Sequence, residues 1–391
     1  MPKALFFSLP SVSVSKTLTP VVEEVAKAGF EIVYYNTSDF FPAGDHPFRF
    51  IAYPSTFKGY YSDKIDGDTS YFDFGNILID SAESLADFLI AEIEREKPDF
   101  IMHSHLAVWG KLMAAYAKIP AITLYTTFVL DKRIMFAFQR QQSRGQSAGT
   151  RHTAEAMRFY RKSAALYERL QLKEQPDLWD VYVNKGRLNL SFILDVFQPE
   201  RTLFGEEFHF LGYPTFSETY GPAKRLIYVA MGTILNKDIS FYTRVINVLK
   251  ALEADSVVSV GPKVDIAMFG PMPRQIKIVG FTDQRALLRE AKLFITRGGM
   301  ASVHESVYSC TPMIVVPMIP EQQITAQKIR ELGIGIDLPP STVDEDILHK
   351  TIDEMLHNDS YRTRLECLGR QIPVHSPGKR AVDLINELLY E

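Results

Sequence analysis

Short apolar runs bounded by turn residues recur along the chain, with stretches of helical spacing between them. The run from Lys3 to Leu9, closed by Pro10, predicts a buried strand. The Ser11-Val12-Ser13-Val14-Ser15 segment then reads as a turn. A helix follows from about Leu18 to Ala28, with Pro20 in its first turn and Gly29 at its stop. The run Glu31 to Tyr35 completes a β-α-β unit, which requires parallel pairing. From Asp39 to Phe74 the chain is rich in aromatics, Gly, Asp and Pro and has no period, as expected of a functional loop. Helical spacing returns from Leu78 to Glu96, then a strand from Phe100 to Ser104, a helix from Trp109 to Ala117 and a strand from Ala121 to Tyr125. Residues 134–175 read as a helical excursion over the first domain's pocket, and strand-like segments follow at Leu190–Ile193 and Phe208–Leu211.

The pattern then restarts. Residues 214–224 have no apolar period and read as a linker between an N-terminal domain, 1–213, and a C-terminal domain, 225–391. Strands are predicted at Leu226–Ala230, Ser256–Val260, Ile276–Val279, Leu293–Ile295 and Met313–Val316, alternating with helices. Helices at about Glu345–Asn358 and Arg380–Tyr390 end the chain, and the last is a candidate to cross back to the N-terminal domain. Two successive β-α arrays predict two facing, doubly wound α/β domains, with ligands in the cleft beyond the carboxyl ends of the strands.

Composition narrows the class. The 391 residues are 46% hydrophobic and 23% charged, with a formal net charge of -4, so nothing favours nucleic acid or an anionic membrane as partner. The apolar start at Ala4–Phe7 is too short for a secretion signal, and no run is long enough to span a bilayer. A soluble, cytoplasmic protein is expected. Cys310 and Cys367 make no disulfide framework, and the nine histidines show no ligand spacing, so no metal site is expected.

Four pieces of the second domain suit a nucleotide diphosphate. Thr296-Arg297-Gly298-Gly299-Met300-Ala301-Ser302 leads a strand into a helix through two glycines. There backbone N–H groups and the helix dipole would meet an anion, and the Arg297 fork matches phosphate oxygens. A plain structural turn fits the same two glycines. Glu305, one turn further along, is placed to hold ribose hydroxyls, or else is a solvated helix carboxylate. Glu321 and Gln322, after the strand ending at Val316, suit sugar hydroxyls. Gly232 and Thr233 end the domain's first strand and can contact phosphate, and Phe281, near Gln284, offers a flat face to a base.

In order and spacing, Thr296–Leu338, Tyr228–Thr233 and Phe281–Gln284 strongly resemble the donor-binding signature of bacterial macrolide-type glycosyltransferases. These belong to the UDP-glycosyltransferase superfamily with the GT-B fold. The N-terminal β-α-β unit and Pro98–Ile122 resemble the same family, so nearly the whole chain is covered. The resemblance implies inverting transfer from a nucleotide sugar (a UDP- or TDP-sugar as co-substrate, with no cofactor) to a lipophilic, hydroxylated small molecule of polyketide or polyphenol type. Carried over by position, Phe281 and Gln284 contact the base and Glu305 the ribose. Gly232, Thr233, Gly298, Gly299 and Ser302 contact the diphosphate, and Glu321 and Gln322 the sugar.

Two departures stand out. Arg297 occupies the place where the family has a His on the diphosphate. More seriously, the family's His base and its Asp partner align with Val14 and Ser104, neither of which can do their work. A positioned base contributes about 10²–10⁴-fold to such a reaction. An already ionised acceptor, or a substitute base, would make up the loss. His103 and His105 flank Ser104, but alternation along a strand points them together and away from it, which favours a structural or surface role. His46 lies in the aromatic loop, whose Tyr60, Tyr61, Tyr71, Phe72 and Phe74 line a pocket or pack a core. The catalytic residues are therefore unassigned. The alternative is a repurposed relative without transferase activity, either an accessory protein bound to a partner enzyme or an enzyme of different chemistry in the acceptor cleft. A dehydrogenase is disfavoured, because the loop after the first strand lacks the glycine fingerprint.

Overall fold

A computed structural model describes residues 1–41, 44–55, 57, 70–134, 150–174, 176–214, 225–232, 238–261, 264–372 and 376–390. The chain forms two compact units, Met1–Thr215 with His375–Glu391, and Phe216–Val374. The expected linker beyond Pro214, together with Thr233, Tyr60 and Tyr61, lies outside the described residues.

The first unit is built on seven strands: β1 (Lys3–Phe7), β2 (Glu31–Asn36), β3 (Arg49–Ala52), β4 (Phe100–Ser104), β5 (Ala121–Tyr125), β6 (Leu188–Ser191) and β7 (Phe208–Phe210). They pair in the order β3-β2-β1-β4-β5-β6-β7, every neighbour parallel. The central strands β1, β4 and β5 are buried almost throughout, which is why they read as continuous apolar runs rather than alternations. Helices α1 (Val12–Lys27), α2 (Tyr71–Glu96), α3 (Val108–Ala117), α4 (Thr150–Arg169) and α5 (Leu178–Val183) connect them. The last helix of the chain, α12 (Pro377–Tyr390), packs on α1 and adds Ala381, Leu384 and Ile385 to this core.

Two helices begin earlier than their apolar spacing predicts. The Ser/Thr run expected as a turn is the start of α1, so Pro20 lies inside that helix and not in its first turn. Hydroxyls there are satisfied by partners that the local pattern does not reveal. Thr17 Oγ1 donates to Ser13 O at 2.8 Å, and Ser15 Oγ accepts from Asn36 Nδ2 at 3.0 Å. Helix α2 starts seven residues before Leu78, at a capping box in which Ser70 and Asp73 each accept the other's backbone N–H.

The second unit repeats the design with β8 (Leu226–Ala230), β9 (Ser256–Ser259), β10 (Ile276–Val279), β11 (Ala291–Thr296), β12 (Met313–Val315) and β13 (Gly335–Asp337). Its helices are α6 (Ile239–Ala251), α7 (Gln284–Glu290), α8 (Met300–Tyr308), α9 (Pro320–Leu332), α10 (Glu345–His357) and α11 (Ser360–Gln371). The parallel order is β10-β9-β8-β11-β12-β13. Ile227, Val229, Val258, Ile276, Leu293, Ile295 and Ile314 form the sheet's share of the core, with Phe241, Val245 and Leu249 from α6 packed on it. Strand order reverses between β8 and β11, so a crevice opens beyond their carboxyl ends. Among the described residues, no helix is long and apolar enough to cross a membrane.

Candidate functional site

At that crevice the chain leaves β11 through Arg297, Gly298 and Gly299 and enters α8. Gly298 has φ +83°, and a Cβ there would lie 2.6 Å from Val315 Cγ1, so the turn requires glycine. The same Cβ position is 3.8 Å from the Gln322 carbonyl, which sets the turn beside the first turn of α9. Gly299 is the N-cap of α8 and supplies no side chain, and the first turn of that helix carries no acid. By contrast α6, α7 and α10 start on Asp238, Asp283 and Asp344, each accepting a backbone N–H. The amino end of α8 therefore keeps its partial positive charge for something else.

Three of the residues singled out from the sequence meet beside this helix. Gln284 Nε2 donates to Ser302 Oγ at 3.1 Å and to Glu305 Oε2 at 2.7 Å. Glu305 is fully buried, not a solvated helix carboxylate, and its other oxygen accepts from Arg285 Nε at 3.1 Å. Arg285 escaped the sequence reading, although its place next to Gln284 at the start of α7 was visible. Phe281 presents an exposed ring in the turn before α7. Glu321 and Gln322 occupy the half-buried first turn of α9, where Gln322 Oε1 accepts from Met318 N at 2.8 Å. Gly232 lies two residues past the end of β8 at φ +78°, with open space where a side chain would be.

Arg297 is buried, and among the described residues it is poorly partnered. Its Nη1 donates to Val316 O at 3.3 Å, its guanidinium carbon lies 5.0 Å from the Phe241 ring centroid, and Nη2 stands 3.8 Å from Asp238 Oδ2. Its Nε has no hydrogen-bond partner among the described residues. Burial lowers its pKa, but guanidinium stays charged.

The first unit places Val14 and Ser104 in its core. Val14 is buried in the opening turn of α1, and Ser104 Oγ, at the end of β4, accepts from Leu9 N at 2.8 Å. His103 lies against Gly110 of α3, where a Cβ would meet its ring. Thr123 Oγ1 donates to Asn184 O at 2.8 Å and lies 3.2 Å from His103 Nε2, while His103 Nδ1 lies 3.1 Å from Ser104 O. Burial drives the His103 pKa down to about 4 and that of His105 to about 3. His105 stacks near Tyr125 with its Nδ1 unpartnered among the described residues. His46 Nδ1 lies 2.8 Å from Glu23 Oε1, and its ring stacks on Phe48. Tyr71, Phe72 and Phe74 belong to α2 and pack against the core. Among the described residues, no group of three or more His, Cys, Asp or Glu is arranged to hold a metal.

The chain superposes over its whole length on a glycotransferase of kitacinnamycin, with TM-score 0.82, 23% identity and 100% of both chains covered. It matches the calicheamicin glycosyltransferase CalG4 at TM-score 0.80 and 19% identity, covering 100% of this chain and 98% of that one. The fold is GT-B. The spinosyn rhamnosyltransferase SpnG, solved with thymidine diphosphate, matches at TM-score 0.71 and 15% identity over 99% of this chain and 100% of that one. In sequence, residues 243–372 match the family described as erythromycin biosynthesis protein CIII-like, C-terminal domain. An uncharacterized UDP-glucosyltransferase of Bacillus subtilis, YojK, is 26% identical over 386 residues, covering 94% of this chain and 92% of that protein. The oleandomycin glycosyltransferase of Streptomyces antibioticus is 24% identical over 350 residues, covering 86% and 79% respectively. The chain is thus related to bacterial NDP- and UDP-glycosyltransferases of the GT-B fold, macrolide glycosyltransferases among them.

Proposed function

We propose that this protein transfers a sugar from a nucleotide diphosphate to a lipophilic small molecule without a His–Asp dyad. The observation that carries the reading is Glu305, a buried carboxylate clasped by Gln284 and Arg285 one turn along a helix whose amino end has no side-chain cap. With Gln284 or Arg285 swung aside, this carboxylate accepts ribose hydroxyls, while the α8 amides and Arg297 take the charge of the diphosphate. In the reaction the acceptor oxygen bonds to the anomeric carbon as the carbon–oxygen bond to the diphosphate breaks. The bonding pair leaves with the nucleotide, and the configuration inverts. Fixed positive charge at the departing diphosphate lowers the barrier because it needs no reorganisation. With Val14 and Ser104 where the resemblance implies a base and its partner, the acceptor enters ionised, as a carboxylate or acidic phenol, or loses its proton to solvent.

A second reading has its own observation. Ser104 is committed to the Leu9 amide and Val14 to the core, which suits a relative that has abandoned sugar transfer. Calorimetry with UDP, dTDP and their sugars, with turnover on carboxylate, phenol and alcohol acceptors, separates the two. Binding with turnover fastest on the acidic acceptors is the expected result. Nucleotide binding with no turnover on any class supports the second reading, and no binding overturns the first.

A further inference from the structure

A guanidinium has five N–H donors, and among the described residues Arg297 uses one of them in a long hydrogen bond to Val316 O. A buried cation so poorly satisfied is costly unless an anion completes its shell. Its Nε and Nη2 form one edge of the fork, the edge that grips two oxygens of one anion at once. Nε has no partner among the described residues, and the nearest charge to Nη2 is Asp238 Oδ2, at 3.8 Å and so beyond hydrogen-bond reach. Asp238 is held back by its other oxygen, which accepts from Phe241 N at 3.0 Å to cap α6 and from Ser240 Oγ at 2.7 Å. Its side chain is 38% exposed, so it is free to yield to an incoming anion.

We propose that Asp238 is a built-in competitor of the donor's diphosphate for this edge of Arg297. The inference rests on the nucleotide-sugar reading of the site. Binding then exchanges one anion for another at a single guanidinium, and Asp238 holds nucleotide affinity below what Arg297 alone would give. The same competition eases release of the nucleotide after transfer. A donor site with an uncharged residue in place of Asp238 would hold its product longer.

The test uses the full chain and UDP as probe, with dTDP as a second nucleotide. Asp238→Asn removes the charge and keeps a good N-cap, so it leaves folding intact. It is expected to tighten UDP about 5- to 20-fold, the scale of one charge a few ångströms away at the half-exposed mouth of a site. In an Arg297→Gln background the same substitution should change affinity by less than about twofold. Asp238→Ser, a second neutral cap, should reproduce the gain. Wild type that binds UDP with no tightening in either Asp238 variant overturns the competition and leaves the donor site standing. Equal tightening with and without Arg297 also overturns it, since competition needs the shared partner. No binding of UDP or dTDP to wild type or to Asp238→Asn removes the donor-site reading itself.

Discussion

Gly298→Ala should damage the phosphate turn for two separable reasons. The first is conformational: φ is +83°, where a side chain costs about 1–2 kcal/mol. The second is steric. The added Cβ would lie 2.6 Å from Cγ1 of Val315, a fully buried side chain at the end of β12, and overpacking of this kind costs about 1–3 kcal/mol. Together they predict a loss of about 2–4 kcal/mol, confined to the C-terminal unit. Tryptophan fluorescence would not report it, because Trp109 and Trp179 both lie in the first unit. Hydrogen exchange read by mass spectrometry over 291–316 would, as faster exchange through β11 and the start of α8. Adding Val315→Ala opens room for the new methyl, so the double variant should lose about 1–2 kcal/mol less than the sum of the single losses. Because the turn aims the α8 amides, Gly298→Ala should also weaken UDP. Unchanged protection in that segment, or strict additivity with Val315→Ala, would show that the turn does not depend on glycine in this way.

Other outcomes follow from the same geometry. Glu96 accepts hydrogen bonds from Arg49 foremost, then Arg95 and Lys3, and against its burial these hold its pKa at about 2. A depressed carboxylate stabilises the fold above its unfolded value of about 4.5 and loses that contribution as pH falls toward 2. Arg49 and Arg95 are half exposed, so the gain is about 1–2 kcal/mol, and urea titrations followed by tryptophan fluorescence should show wild type and Glu96→Gln converging across that window. His103 is neutral in the core with a pKa of about 4, so His103→Phe should leave the pH profile of turnover unchanged between pH 6 and 9, and a shifted limb would assign it a catalytic role. Val14→His with Ser104→Asp should raise turnover on neutral alcohols by about 10²–10⁴-fold. Burying the imidazole should cost about 1–3 kcal/mol, and a folded double variant with unchanged turnover would mean that the dyad lies elsewhere.

The parts of the fold that were legible in the sequence are those where burial is complete. Strands β4, β5 and β8 begin and end where their apolar runs do. The start of α1 was not legible, because Ser15 and Thr17 look like turn residues until Asn36 and Ser13 are seen to satisfy them. Strand β3 is a half-exposed edge with no strong alternation, β13 is three residues long, and α11 buries only Leu365 of its twelve residues, so each gives a weak local signal. At the site, helical spacing picked out Glu305 and the family resemblance Gln284 and Ser302, and the fold brings Ser302 and Glu305 together on Gln284. The burial of Glu305 was not legible, because it is created by Arg285 and Gln284 reaching over from α7. Nor was the approach of Asp238 to Arg297, which joins the start of α6 to the end of β11, residues 59 apart in the chain by their numbers, 297 − 238.

Titration of the full chain with UDP and dTDP, alongside Glu305→Ala, tests the donor site at its root. Wild type should bind at least one nucleotide at one site per chain. Glu305→Ala, folded by far-UV circular dichroism, should bind it at least about tenfold more weakly, the loss expected when a buried carboxylate no longer accepts ribose hydroxyls. Wild type that binds neither nucleotide, or a folded Glu305→Ala that binds as tightly as wild type, would contradict the placement of a nucleotide beside α8.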